Sequence, residues 1–277
     1  MPELPEVETI VRDLAPRLTG RTFTDIRLRK TDVLRDVTRP RLLRTLNGAR
    51  VTGVSRRAKH AVIALDTGHR LVIQPRMTGS LLVNTRPLTA EERRYAVLEA
   101  SIGRGATFVY RDVRRLGTIW LLDEPGWSTY TARIGPEPLD PDFDVPRFRA
   151  RLRGTRQAIK KVLMDQRRIA GVGNIYANEA LFEARIDPSR RADRLSTDET
   201  TQLWSAVRGV LSRAIAARGT TVRDYRTGTG QPGSFQFALH VYGHGGDPCP
   251  RCGARLATTH AIDGRATTFC WRCQGRP

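Results

Sequence analysis

The sequence predicts an α+β protein of several domains, with a β-rich first half, a helical region after it and a small four-cysteine ribbon at the end. Three observations support this prediction. Short runs of alternating or β-branched residues, separated by turn signals, fill the first half. Apolar residues at helical spacing follow a proline-rich segment near residue 140. All four cysteines fall in two pairs near the end of the chain.

The first eight residues, Met-Pro-Glu-Leu-Pro-Glu-Val-Glu, hold the first candidate chemistry. If Met1 is removed, the nitrogen of Pro2 becomes a free secondary amine, which can attack an electrophilic carbon and give an iminium. Glu3 stands beside it and is a residue type that can shuttle a proton. The alternative is an acidic helix start without chemistry, because Asp and Glu favour the first turn of a helix.

The residues after Pro5 predict a helix that ends at Pro16. Proline suits the first turn of a helix and disrupts its interior. The apolar positions at helical spacing are Val7, Ile10, Val11 and Leu14. This helix would hold Pro2 and Glu3 at its positive end.

Short strand candidates follow, and six to eight strands at this spacing predict a β-sandwich or barrel. The candidates are 22–28, 49–55, 61–65, 70–74, 81–84, 95–101, 106–110 and 118–122. Three connections carry candidate chemistry: the basic segment 56–60, the loop 75–80 and the loop 111–117. Each alone suits an ordinary solvated turn. A basic loop beside a loop that exposes Met77 also suits DNA, which offers phosphates and a base stack.

The charge of the chain indicates a polyanionic partner. There are 47 Lys and Arg against 28 Asp and Glu, for a formal net charge of +19. Nucleic acid is the default partner of such a chain, and an arginine-rich proteome is the alternative explanation. The 39% of hydrophobic residues excludes a disordered basic tail. We expect a cytoplasmic protein, because the chain lacks a long apolar run and its start does not resemble a signal peptide.

Prolines and aspartates between residues 135 and 146 predict a linker. The sequence thus predicts a first domain over 1–134, a helical DNA-binding domain over 147–235 and a cysteine ribbon over 236–277. Predicted helices cover 145–152, 155–166, 175–184 and 197–217. The glycines before Asn174 suit a phosphate-binding helix start, or else a turn that Asn174 caps. The glycine-rich loop 227–234 suits a mobile linker or a lid over a bound base.

The two Cys-x-x-Cys pairs, seventeen residues apart, predict one structural zinc ion held by four thiolates. The ligands would be Cys249, Cys252, Cys270 and Cys273. Disulfides are the alternative, which a reducing cytosol disfavours. The residues between the pairs suit a hairpin with Arg265 near its tip, where the guanidinium can contact a phosphate.

Six motifs, which occur in this order along the chain, together resemble the pattern of a known family. They are Pro-Glu-Leu-Pro-Glu-Val-Glu-Thr at 2–9, Arg-Arg-Ala-Lys at 56–59, Met-Thr-Gly-Ser at 77–80, Gly-Pro-Glu-Pro at 135–138, Gly-Val-Gly-Asn-Ile-Tyr at 171–176 and the cysteine pairs. With them, the chain resembles the bacterial formamidopyrimidine-DNA glycosylase family over nearly its whole length. The resemblance implies a β-sandwich flanked by helices, a helix–two-turn–helix domain, a zinc-finger ribbon and DNA bound between the domains.

The same resemblance implies a monomeric repair enzyme for oxidised purines, such as 8-oxoguanine and formamidopyrimidines, in double-stranded DNA. Pro2 would attack C1′ of the damaged nucleotide as the base leaves. β- and then δ-elimination would follow, also at abasic sites. Glu3 would act as the general acid and base, and Glu6 would order the site from behind. Lys59 and Arg265 would assist the chemistry through the flanking phosphates.

The resemblance assigns further residues to DNA. Asn174 would join the phosphate contacts, and Lys160 matches a lysine near the lesion. Met77, Arg114 and Leu116 match the trio that fills the gap left by the extruded base, with Arg114 opposite the orphan cytosine. Such fillers are needed because extrusion costs a few kcal/mol of unstacking. The segment from Thr220 through Ser234 would close over the flipped base. Its predicted lid residues are Thr220, Thr221, Val222, Arg223, Asp224 and Tyr225.

Four departures from the family pattern leave the lesion preference open. Leu116 stands where Phe is common, and Gln-Pro-Arg at 74–76 precedes Met77 where an aliphatic residue and Gly are usual. His60 replaces a common Tyr, and His244 a common Arg.

Two alternatives remain at this point. An endonuclease VIII-like enzyme would prefer oxidised pyrimidines, although Leu4, Pro5 and the glycine-rich lid favour the purine enzyme. A non-catalytic zinc-ribbon DNA-binding protein would explain the charge and the cysteines, but not Pro2 and Glu3.

Overall fold

The protein, seen in a computed structural model that describes residues 2–222 and 224–275, divides into two compact units. The first comprises residues 1–132 and 217–236, and the second comprises residues 133–216 and 237–277. Met1 and Arg223, which belong to the predicted processing step and lid, lie outside the described residues. The segment 217–236 groups with the first unit, whereas the sequence-based division placed it in the helical domain.

Helix α1, Leu4–Leu18, carries the core-facing residues predicted from the sequence. Glu3 is its N-cap residue, and Pro5 lies in its first turn. The prediction that Pro16 ends the helix is wrong. Proline at this position removes one hydrogen bond to the carbonyl four residues earlier and crowds that carbonyl, but the last turn still continues to Leu18. Leu18 is fully buried in the core, and this packing stabilises the final turn.

Two four-stranded antiparallel sheets form the sandwich of the first unit, which confirms the predicted fold class. The strands are β1 Thr24–Leu28, β2 Val51–Arg57, β3 His60–Leu65, β4 Arg70–Gln74, β5 Gly79–Asn84, β6 Ala96–Ser101, β7 Thr107–Asp112 and β8 Thr118–Leu122. One sheet has the order β1-β6-β7-β5 and the other β2-β3-β4-β8. A single hydrophobic cluster joins α1 to both sheets. Every strand candidate of the sequence corresponds to one of these strands.

Three short helices of this unit have start signals that the sequence analysis did not use. They are α2 Arg39–Leu46, α3 Ala90–Arg94 and α4 Glu124–Thr131. Their N-cap side chains, Thr38, Thr89 and Asp123, each accept a backbone N–H from the first turn. Such caps compensate for the unpaired amides of a helix start.

The described part of the second unit contains four α-helices and a ribbon. The helices are α5 Val145–Leu152, α6 Ile159–Met164, α7 Asn174–Glu183 and α8 Thr197–Ala216. The predicted helix over 155–166 is too long at its start. Residues 157–159 form backbone hydrogen bonds with 190–192, and this pairing leaves only α6 helical. Within the described residues, no helix has the length and apolar character to cross a membrane.

The predicted linker packs against α8 of its own unit. Arg208 donates to the carbonyls of Pro138 (2.7 Å) and Asp140 (3.1 Å). The indole of Trp204 donates to the carbonyl of Phe143 at 3.1 Å. These side-chain contacts satisfy backbone carbonyls of a proline-rich segment that has no regular secondary structure.

The ribbon consists of β9 Ala257–Thr259 and β10 Thr267–Phe269, paired antiparallel as the sequence predicts. It packs on α7, where the Asn178 side-chain oxygen accepts the backbone N–H of Thr268 at 2.8 Å. The Glu179 carboxylate accepts three successive backbone N–H groups, from residues 240–242. Helix α7 therefore fixes both the ribbon and the segment that leads to it.

Candidate active site and nucleic-acid interface

Pro2 and Glu3 are buried at the N-terminal end of α1, where the helix dipole is positive. The backbone N–H of Glu3 donates to Glu6 Oε2 at 2.8 Å. The other carboxylate oxygen of Glu6 accepts the backbone N–H of Thr220 at 2.7 Å. Glu6 therefore connects the N-terminal segment to the start of the predicted lid.

Gly219 allows this connection because its backbone approaches Glu6 closely. It has φ +83°, a conformation that favours glycine, and an added Cβ would lie 2.9 Å from Glu6 Oε1. The other end of the predicted lid is anchored by Tyr225. Its hydroxyl lies 3.1 Å from the carbonyl oxygen of Arg218 and 3.3 Å from that of Glu6, and it can donate its one proton to either. Burial, together with the Glu6 carboxylate, raises the pKa of Tyr225, which therefore stays a neutral donor.

The lid residues between these anchors differ in exposure. Thr220 is buried and Thr221 half-buried, and the backbone N–H of Thr221 donates to the side chain of Gln236 at 2.9 Å. Val222 is 57% exposed and Asp224 is exposed. The described part of the lid is thus held at both ends and reaches solvent in its middle.

The glycine-rich loop after the lid packs on α1. A Cβ on Gly228 would lie 2.7 Å from Asp13 Cβ and 2.9 Å from the carbonyl oxygen of Ile10. Thr227 beside it is fully buried. Gly228 therefore allows close packing against the helix that holds Pro2.

Lys59 lies in the tight turn between β2 and β3 and is only 5% exposed. The preceding Ala58 has φ +51°. Arg56 holds this turn, because its Nη1 donates to the Ala58 carbonyl at 3.0 Å and its Nε pairs with Glu8 at 2.9 Å. The turn carrying Lys59 is thereby connected to α1.

His60 follows Lys59 and is buried in a neutral form. Its Nδ1 lies 3.1 Å from the Arg57 carbonyl and its Nε2 lies 2.9 Å from the Tyr130 hydroxyl. With the proton on Nδ1, the ring donates to that carbonyl and accepts from the tyrosine. Burial lowers the pKa of His60 from 6.5 to about 4.

The structure places the three predicted gap-filling residues on two loops of the first unit. Met77 lies in the loop between β4 and β5 and is 42% exposed. Arg114 and Leu116 lie in the loop between β7 and β8, where Leu116 is 45% exposed. Both apolar side chains are therefore accessible at the tips of their loops.

Asp112, which the sequence analysis missed, connects these two loops. Its carboxylate accepts the Thr78 hydroxyl and, at 2.7 Å, the backbone N–H of Gly117. Thr78 in turn accepts the backbone N–H of Arg114 at 3.1 Å. The Tyr110 hydroxyl also donates to Asp112 at 3.3 Å, and burial together with this carboxylate raises the pKa of Tyr110. Asp112 shares a strand face with the buried Phe108 and Tyr110, and this two-residue spacing could have indicated a buried carboxylate, but not its partners.

Lys160, Asn174 and Arg265 meet at the ribbon of the second unit. Lys160 is fully buried, and its ammonium donates to Thr267 Oγ1 at 2.7 Å. The Asn174 side chain donates to the Ala266 carbonyl at 3.1 Å. Arg265 itself is exposed at the tip. Asn174 does not cap α7, because Gly173 is the N-cap residue, so the simple capping alternative is wrong.

The four cysteine sulfurs cluster at the base of the ribbon, all within 4.8 Å of one another. Two of the separations are 3.9 Å (Cys249–Cys273) and 3.5 Å (Cys252–Cys270). Tetrahedral zinc with bonds of about 2.3 Å requires sulfurs about 3.8 Å apart, whereas a disulfide requires about 2 Å. The four thiols can therefore bind a metal ion, and their geometry fits zinc.

Comparison with known proteins identifies the family. The model of the formamidopyrimidine-DNA glycosylase N-terminal domain matches residues 1–119, and that of the H2TH domain of the same enzymes matches residues 134–226. A formamidopyrimidine-DNA glycosylase of Thermomicrobium roseum is 47% identical over 99% of both chains. The chain belongs to the formamidopyrimidine-DNA glycosylase family. A family member of Heliobacterium modesticaldum is 42% identical over 99% of this chain and 100% of its own.

Solved structures of the family share the fold. A mutant of the Lactococcus lactis enzyme in complex with DNA containing Fapy-dG has a TM-score of 0.91 and 33% identity, over 99% of this chain and 100% of its own. The Lactococcus lactis enzyme with abasic-site DNA has a TM-score of 0.91 and 32% identity at the same coverage. The Thermus thermophilus enzyme has a TM-score of 0.87 and 37% identity over both full chains.

We predict that His60 makes the protein less stable in acid. Its pKa in the folded state, about 4, lies below the 6.5 of the unfolded chain. The unfolded state therefore binds a proton first, and stability falls as pH decreases from 6.5 to 4, by about 3 kcal/mol in total. His60→Tyr should remove this part of the pH dependence in urea unfolding between pH 7 and pH 4. His69→Tyr, in a half-buried turn, is the matched control. Equal pH dependence of His60→Tyr and the parent chain would contradict the prediction.

Proposed function

We propose that this protein is a bifunctional DNA glycosylase and abasic-site lyase of base excision repair, which removes oxidised purines from double-stranded DNA. One observation carries the proposal: the second residue is a proline, buried with a glutamate at the positive end of α1, in a chain of this family. An N-terminal amine with a neighbouring carboxylate is the minimum set for Schiff-base chemistry with proton transfer.

In this proposal the Pro2 nitrogen, freed by removal of Met1, attacks C1′ of the damaged nucleotide while the base leaves. The positive end of α1 disfavours the protonated amine and so favours the nucleophilic form. Loss of the C2′ proton from the resulting iminium drives β-elimination of the 3′ phosphate. δ-Elimination of the 5′ phosphate follows. Glu3 supplies and accepts protons, and Glu6 orients Glu3 through its backbone N–H.

The remaining residues act on the DNA. Lys59, Asn174 and Arg265 contact phosphates near the flipped nucleotide, and Arg265 is suited to this by its exposure at the ribbon tip. Lys160 supports the ribbon tip from inside, as its hydrogen bond to Thr267 indicates. The lid residues, which also include Arg223, close over the extruded base.

Met77, Arg114 and Leu116 fill the space that the base leaves in the duplex. Their partial exposure on loops joined through Asp112 supports this role, because a filler must be held rigidly while its side chain stays accessible. Leu116 fills by shape and not by aromatic stacking, so discrimination of the opposite base depends mainly on Arg114.

We further propose that the four thiolates hold one structural zinc ion. A closed four-sulfur site leaves no position open for a substrate, so the ion stabilises the ribbon and takes no part in the chemistry. Cysteines that form no disulfide, together with a chromosomal substrate, are consistent with action in the bacterial cytoplasm.

Borohydride trapping tests the nucleophile. Protein lacking Met1 should form a covalent adduct with duplex DNA containing 8-oxoguanine, because reduction fixes the iminium. Pro2→Gly should lose most lyase activity. Glu3→Gln should lose roughly 100- to 10,000-fold in base release, the range of general acid–base catalysis. A version that retains Met1 should bind DNA and give no adduct. Absence of an adduct with any oxidised base would favour the non-catalytic binding protein.

Lesion preference separates the purine enzyme from the pyrimidine enzyme. Cleavage rates should be higher for 8-oxoguanine opposite cytosine than for thymine glycol in an otherwise identical duplex. The measurement is single-turnover strand cleavage with enzyme in excess. A strong preference for thymine glycol would refute the assignment to oxidised purines.

Zinc removal tests the ribbon. Chelation should abolish most DNA binding in fluorescence anisotropy, because binding of the metal and folding of the ribbon are coupled. The β-sandwich should keep its thermal transition, since its core is separate from the cysteine cluster. Added zinc should restore binding. Unchanged affinity after verified loss of the metal would show that Arg265 does not contact DNA as proposed.

A further inference from the structure

Six cationic side chains line one groove of the first unit, at the end of β1. The groove has a volume of about 670 Å³, and none of the described residues lining it is acidic. The cations are Arg27, Arg29, Lys30, Arg39, Arg93 and Arg94. Arg27 lies on β1, and Arg29 and Lys30 follow that strand directly. Arg39 begins α2, and the remaining two cations end α3, so three separate segments of the fold bring like charges together.

Little of this charge is neutralised within the protein. Arg29 pairs with Glu99. Among the described residues, Arg27, Lys30, Arg39 and Arg94 form no ion pair. The carboxylate of Glu92 on α3 is engaged elsewhere, by Arg86 at 2.7 Å and Arg111 at 3.4 Å. Cations held together in this way repel one another, so their ligand is expected to be a polyanion.

Strand register places the groove at a defined end of its sheet. Leu28 at the end of β1 pairs with Leu98 of β6, near the start of that strand. The start of β6 lies beside the end of β7, and Asp112 at the end of β7 pairs with Gly79 at the start of β5. The groove therefore lies at the same sheet end as the loops of Met77 and Arg114. Three strand spacings separate β1 from β5, which corresponds to about 14 Å.

We propose that this groove binds backbone phosphates of the duplex flank, about four base pairs from the damaged nucleotide. The number of base pairs follows from the distance of about 14 Å and a rise of about 3.4 Å per base pair. The inference rests on the proposed function and extends the DNA contact beyond the lesion itself. Guanidinium groups suit this ligand because they form paired hydrogen bonds with phosphate oxygens. The groove offers no aromatic anchor among its lining residues, and such anchors dominate protein–protein contacts. DNA is therefore favoured over an acidic protein segment.

The test compares flank lengths on a duplex with a stable abasic analogue. Each flank is shortened in turn from about ten to about three base pairs, and affinity is measured by fluorescence anisotropy at several salt concentrations. The parent protein should lose roughly tenfold in affinity when one particular flank is shortened. Arg27→Gln/Arg94→Gln should bind the long duplex as weakly as the short one, with the salt slope reduced by about 1.8.

A matched control lies at the opposite end of the same sheet. Arg21→Gln/Arg104→Gln removes the same charge from the region next to Thr24 and Ser101, which pair at that end. This variant should keep the flank dependence of the parent protein. Cleavage under saturating single-turnover conditions should be unchanged in both double variants, since neither pair belongs to the proposed catalytic residues.

Three outcomes would overturn the proposal. The Arg27→Gln/Arg94→Gln variant could keep the full flank dependence, or the control variant could lose it equally. Alternatively, binding of a polyglutamate peptide could require Arg27 and Arg94 while DNA affinity does not, which would assign the groove to an acidic protein segment. Failure of the proposed function is distinguishable, because the parent protein would then cleave none of the lesion duplexes.

Discussion

The carboxylate of Glu6 joins two segments that are 214 residues apart in the chain. One oxygen holds the backbone of Glu3 and the other holds the backbone of Thr220. Both bonds are buried, and a buried carboxylate is stable only when its oxygens are satisfied in this way. The positions of the candidate nucleophile and of the lid therefore depend on the same side chain. The glycine at 219 is required for the same reason, because a side chain there would displace the carboxylate.

A second buried carboxylate connects the two loops that carry Met77, Arg114 and Leu116. Asp112 holds one loop directly through Gly117, and it orients Thr78, which holds the backbone of Arg114. Charge-assisted hydrogen bonds of this kind are stronger than neutral ones and fix geometry. The fold thus uses two acidic residues, in a chain of strongly positive net charge, to position the N-terminal segment and these loops.

Local patterns predicted most of the elements and some of the site. The strands followed from alternation, the Pro2–Glu3 start from its chemistry and the cysteine cluster from its spacing. The end of α1 was predicted wrongly because Pro16 is tolerated where Leu18 packs in the core. The start of α6 was predicted wrongly because residues far along the chain pair with 157–159. Both errors arose where tertiary contacts override local propensity.

The sequence by itself determined the family, the candidate nucleophile, the metal-binding cysteines and the excess of positive charge, because each depends on residue identity at short spacing. Only the tertiary structure decided what surrounds them. It placed Glu6 between Glu3 and Thr220, Asp112 between two loops, and Lys160 inside the ribbon. It also gathered six scattered cations into one groove. These arrangements join residues that are distant in the chain. No local sequence pattern tells which of those distant residues come into contact.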